Sequence, residues 1–350
     1  MERGFKDLDK GHGRALSGGS QFVGLQSLHR LSTSRLSNPR MTSWVIIPAY
    51  NAAAFIERTL ASVAAQTVDD WRAVVVDDGS ADRTRFLAEQ VARQDPRVLV
   101  VSQANNGVAA ARNRGASEAL ADPSCESLLF LDADDALTEN ALMWLRHGLT
   151  SDASASAAHG LAAYVDEFDR PLHPGRCEAS GRRRRVPRWI WVRTLRRTEP
   201  TTFQSLVCVH ALPTPGVVLI RRAAFERTDG YDLETSETSD WAMAVSLARY
   251  GPITFVDEVV LSYRQHATNL SNNRHTMKEA TQRAWKRAWE SPNNTSAQRK
   301  AVGRGYRSLH TYMGVMKIQG FLRNWSSPRV AAFEAAYGLK HFGRAIKGHP

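Results

Sequence analysis

The stretch WVIIPAYN at residues 44–51 decides how the rest of the chain is read. Trp44 to Ile47 are bulky and mostly β-branched, Pro48 ends the run, and polar residues follow. That is the signature of a short strand buried on both faces. Residues 52–65 then place Phe55, Ile56, Leu60, Val63 and Ala64 at helical spacing. The same unit recurs downstream. WRAVVVDD (71–78) is a second strand, ending in carboxylates. GSADRT (79–84) follows it, where Ser80 or Asp82 is placed to cap a helix running to Gln94. RVLVVS (97–102) is a third strand, and NNGVAAARNRGASEALA (105–121) is an Ala-rich helix opened by a glycine turn. SLLFLDADDAL (127–137) is a fourth strand ending in acids, with a helix from 138 to 149 capped by Thr138.

Strand–helix units repeated in this way predict an α/β fold with a mostly parallel, doubly wound sheet flanked by helices. Ligands of such sheets bind outside the carboxyl ends of the strands. Here those ends are Pro48–Asn51, Asp77–Asp78 and Asp132–Asp135. The pattern then loosens. Residues 157–172 read as a hairpin, 216–232 as a strand, short helix and turn, 239–251 as a helix, and 253–266 as two short strands. Beyond Thr268 the chain reads as helical, basic and Trp-containing.

Each cluster at the sheet edge has a chemical reading. Asp132, Asp134 and Asp135 repel one another in an apolar context, a cost relieved by a hard divalent cation such as Mg²⁺ or Mn²⁺ shared with substrate phosphates. An acidic loop that caps a helix explains the motif equally well when it is taken alone. Asp77 and Asp78 precede Gly79, and a carboxylate there can accept from a base imide or a ribose hydroxyl. Arg112 and Arg114 lie on a helix whose N-terminus faces the same edge, where Arg can clamp phosphate or stack on a base. Asp240 opens a helix, which the dipole favours on its own account, and is also placed for a general base. His266 ends the last strand and can return to the same edge.

These stretches occur in one order, and together they resemble family 2 glycosyltransferases. The matching pieces are VIIPAYNAAAFIERTLASVAAQT, VVVDDGSADRT, NNGVAAARNRGA and LFLDADDAL, then GVVLIRRAAFERTDGYD, SDWAMAVSLARYG and YRQHATNLS, over residues 43–272. The resemblance implies a GT-A fold and inverting transfer from a nucleoside-diphosphate sugar to a glycan or lipid-linked acceptor, in surface polysaccharide or glycoconjugate synthesis. It implies that Pro48, Tyr50, Asn51 and Asp78 line the nucleobase and ribose site, with Asp77 supporting that loop. Arg112 would stand near the base or phosphates, and Asp132 near the ribose or donor sugar. Asp134, with Asp135 beside it and His266 as a further ligand, would hold a divalent metal, Mn²⁺ or Mg²⁺. Asp240 would be the general base. The family usually has Glu-Asp where this chain has Ser239-Asp240, which leaves Asp240 the main base candidate and Glu237 a weaker one. That departure also motivates the alternative of a non-catalytic nucleotide-sugar-binding scaffold.

The expected organisation is a flexible tail over 1–40, a donor half over 41–150, an acceptor half over 151–272 with a basic Arg/Trp segment at 175–212, and a basic helical region over 273–350. Met41 is the expected start of the patterned chain. Charge follows this division. Residues 41–175 hold 10 basic and 19 acidic side chains, whereas 176–350 hold 29 basic and 13 acidic, and the whole chain is +11. The Arg/Trp segment suits an anionic membrane surface, a nucleic acid, or a solvated loop whose Trp residues fold into the acceptor half. The C-terminal run, with Trp325, Val330, Phe333 and Tyr337, suits a peripheral membrane helix or an oligomer face; the family resemblance favours the membrane surface. No helix-turn-helix or RNA-recognition signature accompanies the charge. No GxGxxG follows the first strand, which excludes a nicotinamide dehydrogenase. Scattered Cys125, Cys177 and Cys208 disfavour a disulfide framework. Without a long apolar run or a signal-like start, the expected place is the cytoplasm, peripheral at the inner face of the plasma membrane.

Overall fold

A computed structural model describes residues 41–172, 185–188, 191–207, 212–267, 269, 274–323 and 328–350, all within the unit Asn38–Pro350. The tail 1–40, residues 175–184, 189–190 and 208–211 of the Arg/Trp segment (with Trp189, Cys177 and Cys208) and Trp325 lie outside the described residues. So do the side chains of Trp191, Glu237, Val330, Phe333 and Tyr337.

Residues 41–150 contain β1 (Thr42–Ala49), α1 (Ile56–Ala64), β2 (Trp71–Asp77), α2 (Thr84–Gln94), β3 (Val98–Ser102), α3 (Val108–Ala121), β4 (Cys125–Phe130), β5 (Ala136–Leu137) and α4 (Ala141–Thr150). Next come β6 (Ala157–Val165), the two-stranded β7 (Arg185–Arg188) and β8 (Trp191–Thr194), and α5 (Phe203–Leu206). These are followed by β9 (Val218–Arg221), α6 (Arg222–Phe225), α7 (Ser239–Leu247) and β10 (Ile253–Arg264). Three helices close the chain: α8 (Arg274–Glu290), α9 (Ser296–Arg323) and α10 (Pro328–Lys347).

One eight-stranded sheet runs through both halves in the order β3-β2-β1-β4-β9-β6-β10-β5. β3, β2, β1 and β4 are mutually parallel, and the buried β-branched runs of β1 and β2 at the centre of the four are what a sheet covered on both faces requires. β9 pairs antiparallel with both β4 and β6, and β10 runs parallel to β6. The carboxyl ends of β6 and β10 therefore emerge on the same edge as those of β1, β2 and β4. α3 lies close on this sheet because Gly115 has no side chain; a Cβ there would meet Ile46 Cγ2 at 2.4 Å.

Several local expectations change. The strand expected over 127–137 divides into β4 and the two-residue β5, which pairs antiparallel with β10, and the acidic loop lies between them. Residues 253–264 form one strand rather than two, broken only by register shifts against β6 around Val259. The expected hairpin at 157–172 is β6 plus a tight return, with a single bridge from Val165 to Pro171. Thr138 does not cap α4; its hydroxyl donates to the Val259 carbonyl at 2.9 Å, and so ties the acidic loop to β10. In each case a long-range partner outcompetes the local pattern.

Candidate active site

Pro48 can occupy β1 because of where the pairing with β4 stops. Ile46 faces β4, its carbonyl accepting from Leu131 at 2.9 Å, and the last β1–β4 pair is Ile46–Phe130. Two residues on, a residue at 48 faces the same way and finds no strand, so the missing N–H costs nothing. Ala49 ends the strand by accepting from Asp78 N at 2.8 Å. Tyr50 then emerges 53 % exposed. Asn51, with φ of 50°, locks the turn: its N–H donates to Ser80 Oγ at 3.0 Å, and its Oδ1 accepts from Ala81 N at 2.9 Å. Neither Ser80 nor Asp82 supplies a side-chain cap at the residue preceding α2. Ser80 receives Asn51, and Asp82 accepts from Thr84 N and Ala53 N.

Asp77 and Asp78 are both buried. Asp77 Oδ1 accepts from Ser80 N at 3.3 Å, which holds the turn at Gly79. Asp78 organises the neighbouring loop. Its Oδ1 accepts from Gln103 Nε2 at 2.8 Å and Asn106 N at 2.9 Å, and its Oδ2 from Gly107 N at 2.9 Å. This carboxylate therefore shapes the loop that leads into α3.

Arg112 sits at the centre of the site. It is buried on α3, and its Nη2 donates to Asp132 Oδ1 at 2.7 Å while Nη1 donates to Ser239 Oγ at 3.1 Å. Its guanidinium lies 5.1 Å from the Tyr231 ring centroid, and Nε has no partner. Burial opposes its charge, but Asp132, Tyr231 and Asp240 together raise its proton affinity. One cation thus joins the acidic loop after β4 to the start of α7. Asp132 Oδ2 also accepts from the Thr214 hydroxyl at 3.3 Å. Arg114 faces away and pairs with Glu118 one turn on, at 2.7 Å.

Asp134 Oδ2 lies 2.9 Å from His266 Nε2. Burial and then the Asp132 charge raise the Asp134 carboxyl, with His266 pulling the other way. The His266 ring stacks on Phe55 at 4.7 Å. Asp135 is placed differently from its neighbours. It is fully enclosed, its Oδ1 accepts from Arg264 N at 2.8 Å, and its buried Oδ2 has no partner. Burial first, then Asp134 and Asp132, push it well above the usual carboxylate range.

Asp134 and His266 give one oxygen and one nitrogen donor side by side, with the orphaned Asp135 oxygen in the same loop. This set fits Mn²⁺ or Mg²⁺ held partly by substrate phosphates and water. Among the described residues no three His, Cys, Asp or Glu side chains form a complete metal cage.

Asp240 is half-buried in the first turn of α7, and its Oδ1 accepts from Trp241 N at 2.7 Å. Trp241 anchors the helix by donating from Nε1 to the Leu206 carbonyl at 2.9 Å.

Several contributors are not evident from motif reading. Asn113 docks the two halves, its Nδ2 donating to the Tyr231 carbonyl and its Oδ1 accepting from Tyr231 N, both at 2.7 Å. Arg264 is buried, donates from Nε to the Asp134 carbonyl at 2.8 Å and pairs with Asp169 at 2.7 Å. Asn113 stands inside the quoted ARNRG and Arg264 beside His266, so position alone offered a signal. Phe55 likewise stands inside a quoted stretch, whereas Thr214 offered no signal.

The chain has the fold of GT-A glycosyltransferases. Staphylococcus aureus TarS 1–349 in complex with UDP-GlcNAc matches it with a TM-score of 0.57 at 14 % identity, over 88 % of this chain and 92 % of that one. A GalNAc-T7 structure with UDP, GalNAc and Mn²⁺ matches with a TM-score of 0.52 at 17 % identity, over 76 % and 54 %. The family model described as glycosyl transferase family 2 matches residues 44–228, and the chain belongs to that family.

Among curated relatives, the uncharacterized glycosyltransferase EpsJ of Bacillus subtilis (strain 168) is 28 % identical over 65 % of this chain. A chondroitin synthase of Escherichia coli is 24 % identical over 65 % of it. The matched stretch spans 62 % of the first relative's length and 29 % of the second's.

Proposed function

We propose that this protein transfers a glycosyl group, with inversion, from a nucleoside-diphosphate sugar to an acceptor hydroxyl in polysaccharide or glycoconjugate synthesis. The observation that carries this reading is the buried Arg112, which gathers Asp132, Ser239 and the field of Asp240 at the carboxyl edge of the sheet. The UDP-GlcNAc bound to the TarS neighbour supports a nucleotide-sugar donor, and the chondroitin synthase relative supports a glycan acceptor. In this reading residues 41–150 receive the donor and 151–272 the acceptor.

The division of labour follows from chemistry. Tyr50, exposed at the end of β1, presents its ring to the nucleobase, while Pro48, Asn51, Asp77 and Asp78 shape the loops around it. Asp134 and His266 would hold a divalent cation, with Asp135 behind them; bound there, the cation would neutralise charge on the departing diphosphate. Arg112 orients Asp132 toward the donor and keeps a positive charge beneath it. Asp240 takes the proton of the acceptor hydroxyl as that oxygen attacks, so no covalent nucleophile is needed. Free, buried Cys125, its thiol pushed up to about 11 by burial, fits the reducing cytoplasm.

The test has two arms. Thermal shift against a panel of nucleotide sugars, with and without Mn²⁺, identifies the donor by the stabilisation that binding brings. Asp240→Asn should keep that shift and lose transfer by about 10²–10⁴-fold. Full transfer by Asp240→Asn rejects the base assignment. Ser239 at the helix start favours a second reading, a donor-binding scaffold. That reading predicts the same thermal shift in the wild type, with no transfer to any acceptor in a panel of glycans and lipid-linked glycans.

A further inference from the structure

Helix α10 has two opposed faces. Gly338, His341 and Ala345 recur at three- and four-residue spacing and are buried, with the His341 ring stacked on His310 of α9. The other side presents Ala336, Leu339, Gly343 and Ile346 at the same spacing, all exposed. Leu339 is 69 % exposed and Ile346 is 85 % exposed. A Cβ built on Gly343 meets nothing within 4 Å, so this row stands open.

At about 100° per residue, Lys340, Arg344 and Lys347 form a second row directly beside the apolar one. Lys340 and Lys347 are exposed and Arg344 is half-buried. No acidic residue occurs between 335 and 350, and residues 291–350 hold ten Lys and Arg against the single acid Glu334.

We propose that this outer face of α10 docks on an anionic phospholipid bilayer, lying in the interface with Leu339 and Ile346 inserted and the basic row over the headgroups. An amphipathic helix of this kind gains from apolar burial and from attraction to anionic lipid together. Each Lys or Arg near such a surface adds to the attraction, and salt screens it. A second copy of the chain suits the face poorly. A two-fold contact sets the same patch against itself, so three cations from each copy would be brought together with no acid to meet them. Nucleic acid would answer the basic row but leave Leu339 and Ile346 in water. No helix among the described residues is long and apolar enough to cross a membrane, so the contact is with the surface. The inference does not depend on the donor-site reading.

The test is co-sedimentation of the full chain with phosphatidylcholine vesicles, with and without phosphatidylglycerol, at low and high salt. Binding is expected only with phosphatidylglycerol, and weaker in salt. The pair Leu339→Glu/Ile346→Glu, and separately Lys340→Glu/Lys347→Glu, should each weaken it by about tenfold or more. Unchanged far-UV circular dichroism and an unchanged nucleotide-sugar thermal shift show that each variant is folded. Equal pelleting with neutral vesicles, no pelleting at low salt, or full binding by both variants overturns the proposal. So does a dimer in sedimentation velocity that Leu339→Glu dissociates, or retention of single-stranded RNA in preference to the vesicles.

Discussion

Asp78 shows how much one buried carboxylate can organise. It accepts from one side chain and two backbone N–H groups, and those three bonds define the loop from Gln103 to Gly107. Asp78→Ala would orphan these donors together. The expected cost is about 1–3 kcal/mol for each donor that stays buried without a partner. Urea denaturation should report it as a lower midpoint at unchanged slope, and donor affinity should fall with it. Asn at 78 keeps an acceptor oxygen and should recover part of the loss. Arg112 differs in kind, because it is a buried cation whose nearest carboxylate partner is Asp132. Arg112→Met should weaken transfer through both Asp132 and Asp240, with Asp132→Asn affecting the donor side alone. A matched loss of donor affinity in both variants, with no further fall in turnover for Arg112→Met, would remove the link to Asp240. The carboxylates and the arginine were legible as residue types at strand ends. Their partners were not, because Thr214, Ser239 and Asp132 lie far apart in the chain and meet only once β9 and α7 are in place.

At the scale of elements, the α9–α10 pair carries a titratable latch. His310 and His341 are buried with their Nδ1 atoms 2.6 Å apart, and Tyr306 packs edge-on to His310 at 4.2 Å. Burial, then the charges of His341 and Arg344, push His310 from 6.5 down to about 4. A base whose folded-state value is depressed contributes its stability above the unfolded value and loses it as pH falls. The packing of α10 on α9 should therefore be intact above about pH 6.5 and weaken progressively toward pH 4. Hydrogen exchange of α10 amides across that range is the measurement. His310→Gln, which cannot protonate, should flatten the dependence; an unchanged pH profile would exclude His310 as its source. Element positions over residues 41–150 were readable from periodicity, apart from the two-residue β5, which is too short to show alternation. β10 was not, because its register shifts interrupt the alternation that marks a strand.

For the whole molecule, the C-terminal helices brace the candidate base from behind. Trp285 of α8 packs between Trp241 and Tyr306, with ring centroids 5.2 Å and 5.6 Å away. α9 approaches so closely that a Cβ on Gly305 would lie 1.7 Å from the Val207 carbonyl oxygen, just beyond α5. Trp285→Ala removes the wedge and should cost about 3–5 kcal/mol. It should also reduce turnover in the surviving folded fraction, because Trp241 is the neighbour of Asp240. Stability and turnover measured on the same sample separate the two effects, and full turnover per folded molecule would mean that the brace is structural only. The charge asymmetry has a place in this arrangement. Five of the 19 acids in residues 41–175 (Asp77, Asp78, Asp132, Asp134 and Asp135) stand at the sheet edge that carries the candidate site, and the basic excess of residues 176–350 extends through the three closing helices.

Local order along the chain determined the strand–helix units, the carboxylates at their ends and the family. These depend on spacing within about ten residues, which hydrophobic periodicity and turn chemistry express directly. The tertiary structure alone decided which groups each of those carboxylates meets. It bound Asp78 to its neighbouring loop, enclosed Asp135 against β10, paired Asp134 with His266 and joined Asp132 to Ser239 through Arg112. Those outcomes depend on burial and on contacts between residues from 20 to 132 positions apart, where a competing partner changes what a side chain can do.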